Sequence, residues 1–191
     1  GMIPLYIDHY KKINHIKKII SESEEIEEKM LVDSEDIYYN KDKFDSGEIN
    51  LCFIIGHSGS GKSTMARGMA DGDKIEYYEL DDVVLNKISF TMENLKEYGD
   101  LIYSFFKGPG KKYYYIEEDR KTGKVKGIDG YYEEKLIKDF VRYTISYCKT
   151  HKNKKYVLEG IWILDFIEPS LLKDYAVYIK GTSFIKSTFR A

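Results

Sequence analysis

Gly56-His57-Ser58-Gly59-Ser60-Gly61-Lys62-Ser63 satisfies G-x-x-x-x-G-K-[ST] at every fixed position. The chemistry this spacing suits is the cradling of phosphate. Gly56, Gly59 and Gly61 permit backbone angles that a side chain would forbid, so successive N–H groups along His57, Ser58 and Ser60 can turn inward as an anion nest. Lys62 is then expected to set a compact charge beside the β- and γ-phosphates, and Ser63 Oγ to ligate Mg2+. Thr64 is expected to reach the α-phosphate, and a helix opening after the loop would turn its positive end toward the same anion. His57 and Ser58 fill variable positions, and neither is assigned a catalytic part. A chance glycine-rich turn is the competing reading, and the flanking residues argue against it.

Those flanks are the elements that must position the loop. Leu51-Cys52-Phe53-Ile54-Ile55 reads as a fully buried parallel strand, and Ser63-Thr64-Met65-Ala66-Arg67 can begin a helix. Asp71-Gly72-Asp73 breaks that helix, and Ile75 to Leu80 reads as a second strand ending in Asp81-Asp82. Leu95, Tyr98, Ile102 and Phe105 recur at helical spacing, with Thr91 as N-cap and a stop at Gly108-Pro109-Gly110. Tyr113 to Lys126 reads as a hairpin turning at Thr122-Gly123, and Tyr132, Leu136, Phe140, Thr144 and Cys148 mark a helix over 131–149. Lys154 to Leu158 predicts a strand ending at Glu159-Gly160. A short helix near 165–172 contains or ends at Pro169, Tyr175 to Ile179 is a last strand, and Gly181-Thr182-Ser183 caps a helix running to Arg190.

In a parallel sheet, ligands gather beyond the carboxyl ends of the strands, so Asp81, Asp82 and Glu159 are expected to converge on the phosphate loop. Phosphoryl transfer to a hydroxyl needs a metal-bound triphosphate, a carboxylate to orient or deprotonate the acceptor, and cations for the migrating group. Asp81 is the first candidate for the acceptor carboxylate and also a candidate metal ligand, with Asp82 beside it. Glu159 is expected to order Mg2+ through water or to bind substrate. For each acidic residue the alternative is a helix cap or loop carboxylate, most evenly balanced at Asp82, where Val83 can start a helix.

The chain's 191 residues suit one domain with an appendage. Residues 1–47 are expected to form an N-terminal helical extension and linker, 48–191 the nucleotide-binding domain, and about 85–130 an insertion. Ile13, Ile16, Ile20, Ile26 and Met30 fall at helical spacing, implying one or two amphipathic helices whose polar faces are solvated or meet a partner. Asp33 to Asn50 reads as a polar connection. A net charge of −2 gives no electrostatic case for nucleic acid, and lysine-tyrosine runs such as Lys111 to Tyr115 are better explained by compositional bias. No apolar segment is long enough for a bilayer, and Cys52 and Cys148 read as buried thiols suited to a cytoplasmic location.

Taken in order, Gly56 to Ser63, Leu80-Asp81-Asp82, Val157-Leu158-Glu159-Gly160-Ile161 and Tyr178-Ile179 followed by a helix bearing Arg190 resemble the small-molecule P-loop kinases, especially the uridine kinase and phosphoribulokinase branch. The resemblance covers roughly 48–191, and the phosphate loop is its specific part. It implies a P-loop NTPase-type three-layer α/β/α fold with a mostly parallel sheet, ATP or another NTP with Mg2+, and a nucleoside or sugar hydroxyl as acceptor. Arg190 falls where the first lid arginine is expected. Such kinases continue into the rest of a lid and a further strand, whereas this sequence ends at Ala191, so an incomplete lid is expected. A nucleotide-dependent switch and a binding module without catalysis are the alternatives, and no N-K-x-D motif supports a GTPase.

Overall fold

The computed structural model describes residues 11–20, 36–56, 75–85, 95–113, 130–160, 163–166 and 168–180. The chain divides into two compact units, Gly1–Tyr77 with Lys152–Ala191, and Tyr78–His151.

The first unit is built on an α/β sheet. Residues 11–20 form helix α1, β1 spans Ile37–Tyr39, α2 Lys41–Asp45 and β2 Leu51–Ile55. β3, Ile75–Glu79, runs across the boundary between the units. β4 spans Lys155–Glu159 and β5 Ala176–Ile179, and the sheet order is β1-β5-β2-β4-β3. β2 lies parallel to both β4 and β5, and β1 is an antiparallel edge on β5. Every residue of β2 is buried, as a central strand covered on both faces requires.

The expected strands at 51–55, 154–158 and 175–179 are present within a residue or two. β1 and α2 occupy the stretch expected to be a polar connection. A three-residue strand is too short to show an alternation, and it is made by pairing with β5 rather than by its own pattern. Asn40 takes the left-handed conformation (φ 57°) between β1 and α2, and its Nδ2 donates to Tyr175 O at 3.1 Å. Ile13, Ile16 and Ile20 of α1 are buried, as their spacing predicts. Lys17 is buried too, so this helix does not give its whole polar face to solvent.

In the second unit α3 spans Leu80–Leu85, a 3-10 turn Leu95–Tyr98, α4 Asp100–Lys107 and α5 Gly130–Thr150. Its core is aromatic: Phe105 meets Phe106, Phe140 and Tyr143 with ring centroids 5.0, 5.2 and 5.5 Å apart. α5 matches the expected helix over 131–149. The helix expected between its Thr91 cap and Gly108 is instead broken at Gly99, whose φ of 109° no ordinary side chain favours. Leu95, Ile102 and Phe105 stay buried while Tyr98 is 36% exposed. The hairpin expected at 113–126 lies, apart from Tyr113, outside the described residues, and Tyr113 itself is helical. Cys52 and Cys148 are both buried free thiols.

Between β4 and β5, in the first unit, α6 spans Ile163–Phe166 and a 3-10 helix Pro169–Asp174. Pro169 therefore starts a helical segment, at a position where its missing N–H has no partner to lose.

Candidate phosphate-binding site

The parallel ladders carry three chain segments to one edge of the sheet. Ile54 pairs with Glu159 on β4, and Ile55 pairs with Ile179 on β5. The pairing continues past the strand ends: Gly160 N–H donates to Ile54 O at 3.1 Å, and Lys180 N–H donates to Ile55 O at 2.9 Å. Gly56, Glu159-Gly160 and Lys180 are consequently neighbours at the carboxyl edge.

The connectivity makes that edge special. From β2 the chain goes to β3 and β4 on one side of it, then to β5 on the other. Such a reversal opens a crevice outside the carboxyl ends of the flanking strands, where α/β sheets hold their ligands. Gly56, the first residue of the glycine-rich loop, stands at this reversal, buried as β2 ends.

Glu159 is 2% exposed, a carboxylate paired with Ile54, two residues before the glycine that opens the motif. Residues in register share a sheet face, so Glu159, Ile54, Tyr178 and Tyr38 form one row across four strands. Tyr178 donates its hydroxyl to Asp36 Oδ2 at 2.7 Å, and Lys180 Nζ lies 3.2 Å from the same oxygen. Burial and the Asp36 carboxylate push the Tyr178 hydroxyl up to about 12, so it remains a neutral donor. Burial likewise raises Tyr38, and pushes the Cys52 thiol up to about 12, which makes Cys52 a packing residue rather than a nucleophile.

Of the sequence-predicted site residues, Gly56 and Glu159 are brought together. Asp81 is exposed and lies with Asp82 in the first turn of α3, one helical step after β3 rather than on the strand itself. Both belong to the unit of residues 78–151. His57, Ser58, Gly59, Ser60, Gly61, Lys62, Ser63, Thr64 and Arg190 lie outside the described residues. Among the described residues no group of three His, Cys, Asp or Glu side chains could hold a metal. One carboxylate is nevertheless what Mg2+ asks of a protein when phosphates and water fill its other positions. Asp36, Tyr178 and Lys180 were not among the expected site residues. The available signal was a lysine immediately after the last predicted strand.

No family model, curated protein or solved structure matches this chain. Among the described residues, no helix is long and apolar enough to cross a membrane.

Proposed function

We propose that this chain binds a nucleoside triphosphate, ATP or another NTP, with Mg2+ and transfers the terminal phosphoryl group to a hydroxyl of a small molecule such as a nucleoside or sugar. The reading is that of a P-loop kinase of the kind resembled by the uridine kinase and phosphoribulokinase branch. One observation carries it: the G-x-x-x-x-G-K-[ST] sequence begins at Gly56, at the carboxyl end of the central parallel strand and at the sheet's reversal, with Glu159 ending the neighbouring strand in register with Ile54. A chance glycine-rich turn has no reason to sit there.

In this proposal Gly56 to Thr64 wrap the phosphates, and Lys62 and Arg190 offset the charge of the migrating group. Ser63 and Glu159 are the candidate donors for Mg2+, which when bound would neutralise the phosphate oxygens. Asp81 orients the acceptor hydroxyl and takes its proton, with Asp82 as the neighbouring carboxylate. The acceptor oxygen forms the new bond to the γ-phosphorus as the bond to the β-bridging oxygen breaks, and the nucleoside diphosphate leaves. Cytoplasmic ATP and Mg2+ would supply the reaction.

The test is ADP release with and without panels of nucleosides, sugars and other alcohols. Acceptor-dependent release is the expected outcome. Acceptor-independent turnover would instead make the chain a nucleotide-dependent switch, and binding without turnover would make it a nucleotide-holding module.

A further inference from the structure

The carboxyl edge carries a cation that the loop motif does not include. Lys180 continues the β5 ladder one step beyond the pair Ile55 and Ile179, which sets it opposite Gly56. On its other side β1 pairs with β5 through Ile37 and Ile179, which sets Asp36 opposite Lys180. Lys180 thus stands between a carboxylate and the start of the phosphate loop. Its ammonium is 3.2 Å from Asp36 Oδ2, and the same oxygen accepts the Tyr178 hydroxyl at 2.7 Å. Neither side chain of the pair is buried, with 30% of Lys180 and 32% of Asp36 exposed, so exchanging one anion for another requires no burial of charge.

Neighbouring strands are about 4.8 Å apart, and a lysine carries its charge on a flexible four-carbon stem, so one ammonium can serve either flank of its own strand. A triphosphate gathers more negative charge at the Gly56 side than a single carboxylate offers on the β1 side. We propose that Lys180 is a γ-phosphate ligand, held by Asp36 in the nucleotide-free chain and released to the terminal phosphate when a triphosphate enters. This rests on the proposed function and names the cation that would let the site tell a triphosphate from a diphosphate. Asp36 is then a competitor for Lys180, and Tyr178, by donating to Asp36, holds that carboxylate in place.

The competition gives the test a sign that a purely structural ion pair lacks. Binding of ATP and of ADP, each with Mg2+, is measured by titration calorimetry on the full chain and on Lys180→Gln, Lys180→Arg and Asp36→Asn. Lys180→Gln is expected to weaken ATP about tenfold and to change ADP by less than about twofold, the loss of one charge-assisted contact. Lys180→Arg retains the charge and is expected to retain the preference for ATP. Asp36→Asn is expected to tighten ATP about threefold, because the competing charge is gone while the acceptor oxygen for Tyr178 remains. Equal ATP affinity in Lys180→Gln and the unaltered chain, or weaker ATP binding in Asp36→Asn, overturns the assignment while leaving nucleotide binding intact. If the unaltered chain binds neither nucleotide, the underlying function fails and the assignment with it.

Discussion

Glu159 ends β4 with its carboxylate withdrawn from solvent, in register with Ile54 near the end of β2. If it orders Mg2+ through water, Glu159→Gln keeps the shape and removes the charge. The Mg2+ concentration for half-maximal turnover is expected to rise about tenfold, the usual scale for an outer-sphere partner. An unchanged Mg2+ titration would remove Glu159 from the metal. Cys52 gives a residue-scale prediction of another kind. Its thiol stays protonated in the fold to about pH 12, against an ordinary value of 9.0. Above pH 9.0 the unfolded chain therefore sheds this proton while the folded chain does not, so this thiol's contribution to stability is level below that pH and is lost as pH rises toward 12. Denaturant titrations between those limits should show a shallower alkaline loss in Cys52→Ala than in the unaltered chain. Equal slopes would mean the thiol is not the group responsible. Gly56 and Glu159 were both legible as residue types at strand ends. Lys180 was not, because its place opposite Gly56 comes from register, which no local spacing encodes.

The elements show where pattern reading succeeds and where it stops. β2 and α5 follow directly from an unbroken apolar run and from apolar residues at helical spacing. The segment 95–107 carries the same helical spacing and is nonetheless broken, because Gly99 adopts a positive φ. A Cβ at Gly99 would also meet the Tyr78 hydroxyl, whose aromatic ring packs against Phe140. Gly99→Ala is expected to cost at least about 2 kcal/mol, from backbone strain and from the displaced tyrosine. Denaturation showing a neutral or stabilising effect would contradict this account of the break. Phe105→Ala removes the ring shared by three aromatic contacts, and about 3 to 5 kcal/mol is the expected loss. β1 was hidden for the opposite reason. Three residues within a polar stretch carry no period, and only their pairing with β5 makes them a strand.

For the whole chain, the decisive property is strand order. The alternation of strands and helices announced a parallel α/β sheet, yet it could not tell that β5 would lie on the opposite side of β2 from β4. That order puts the reversal of the sheet at the one strand followed by G-x-x-x-x-G-K-[ST], and it joins a sequence motif to a topological crevice. A ligand that binds only the folded chain stabilises it, so Mg2+ with ATP at a hundred times its dissociation constant should add about 2.7 kcal/mol. A thermal melt that does not move under those conditions would argue against a folded-state site.

The most direct measurement is equilibrium binding of ATP, in the presence of Mg2+, to the unaltered chain and to Lys62→Ala. Saturable one-to-one binding weakened about a hundredfold in Lys62→Ala is the predicted result, since the lysine is the charge that the loop brings to the phosphates. Equal affinity in the two proteins, or none in either, would contradict the claim that Gly56 opens a triphosphate-binding loop.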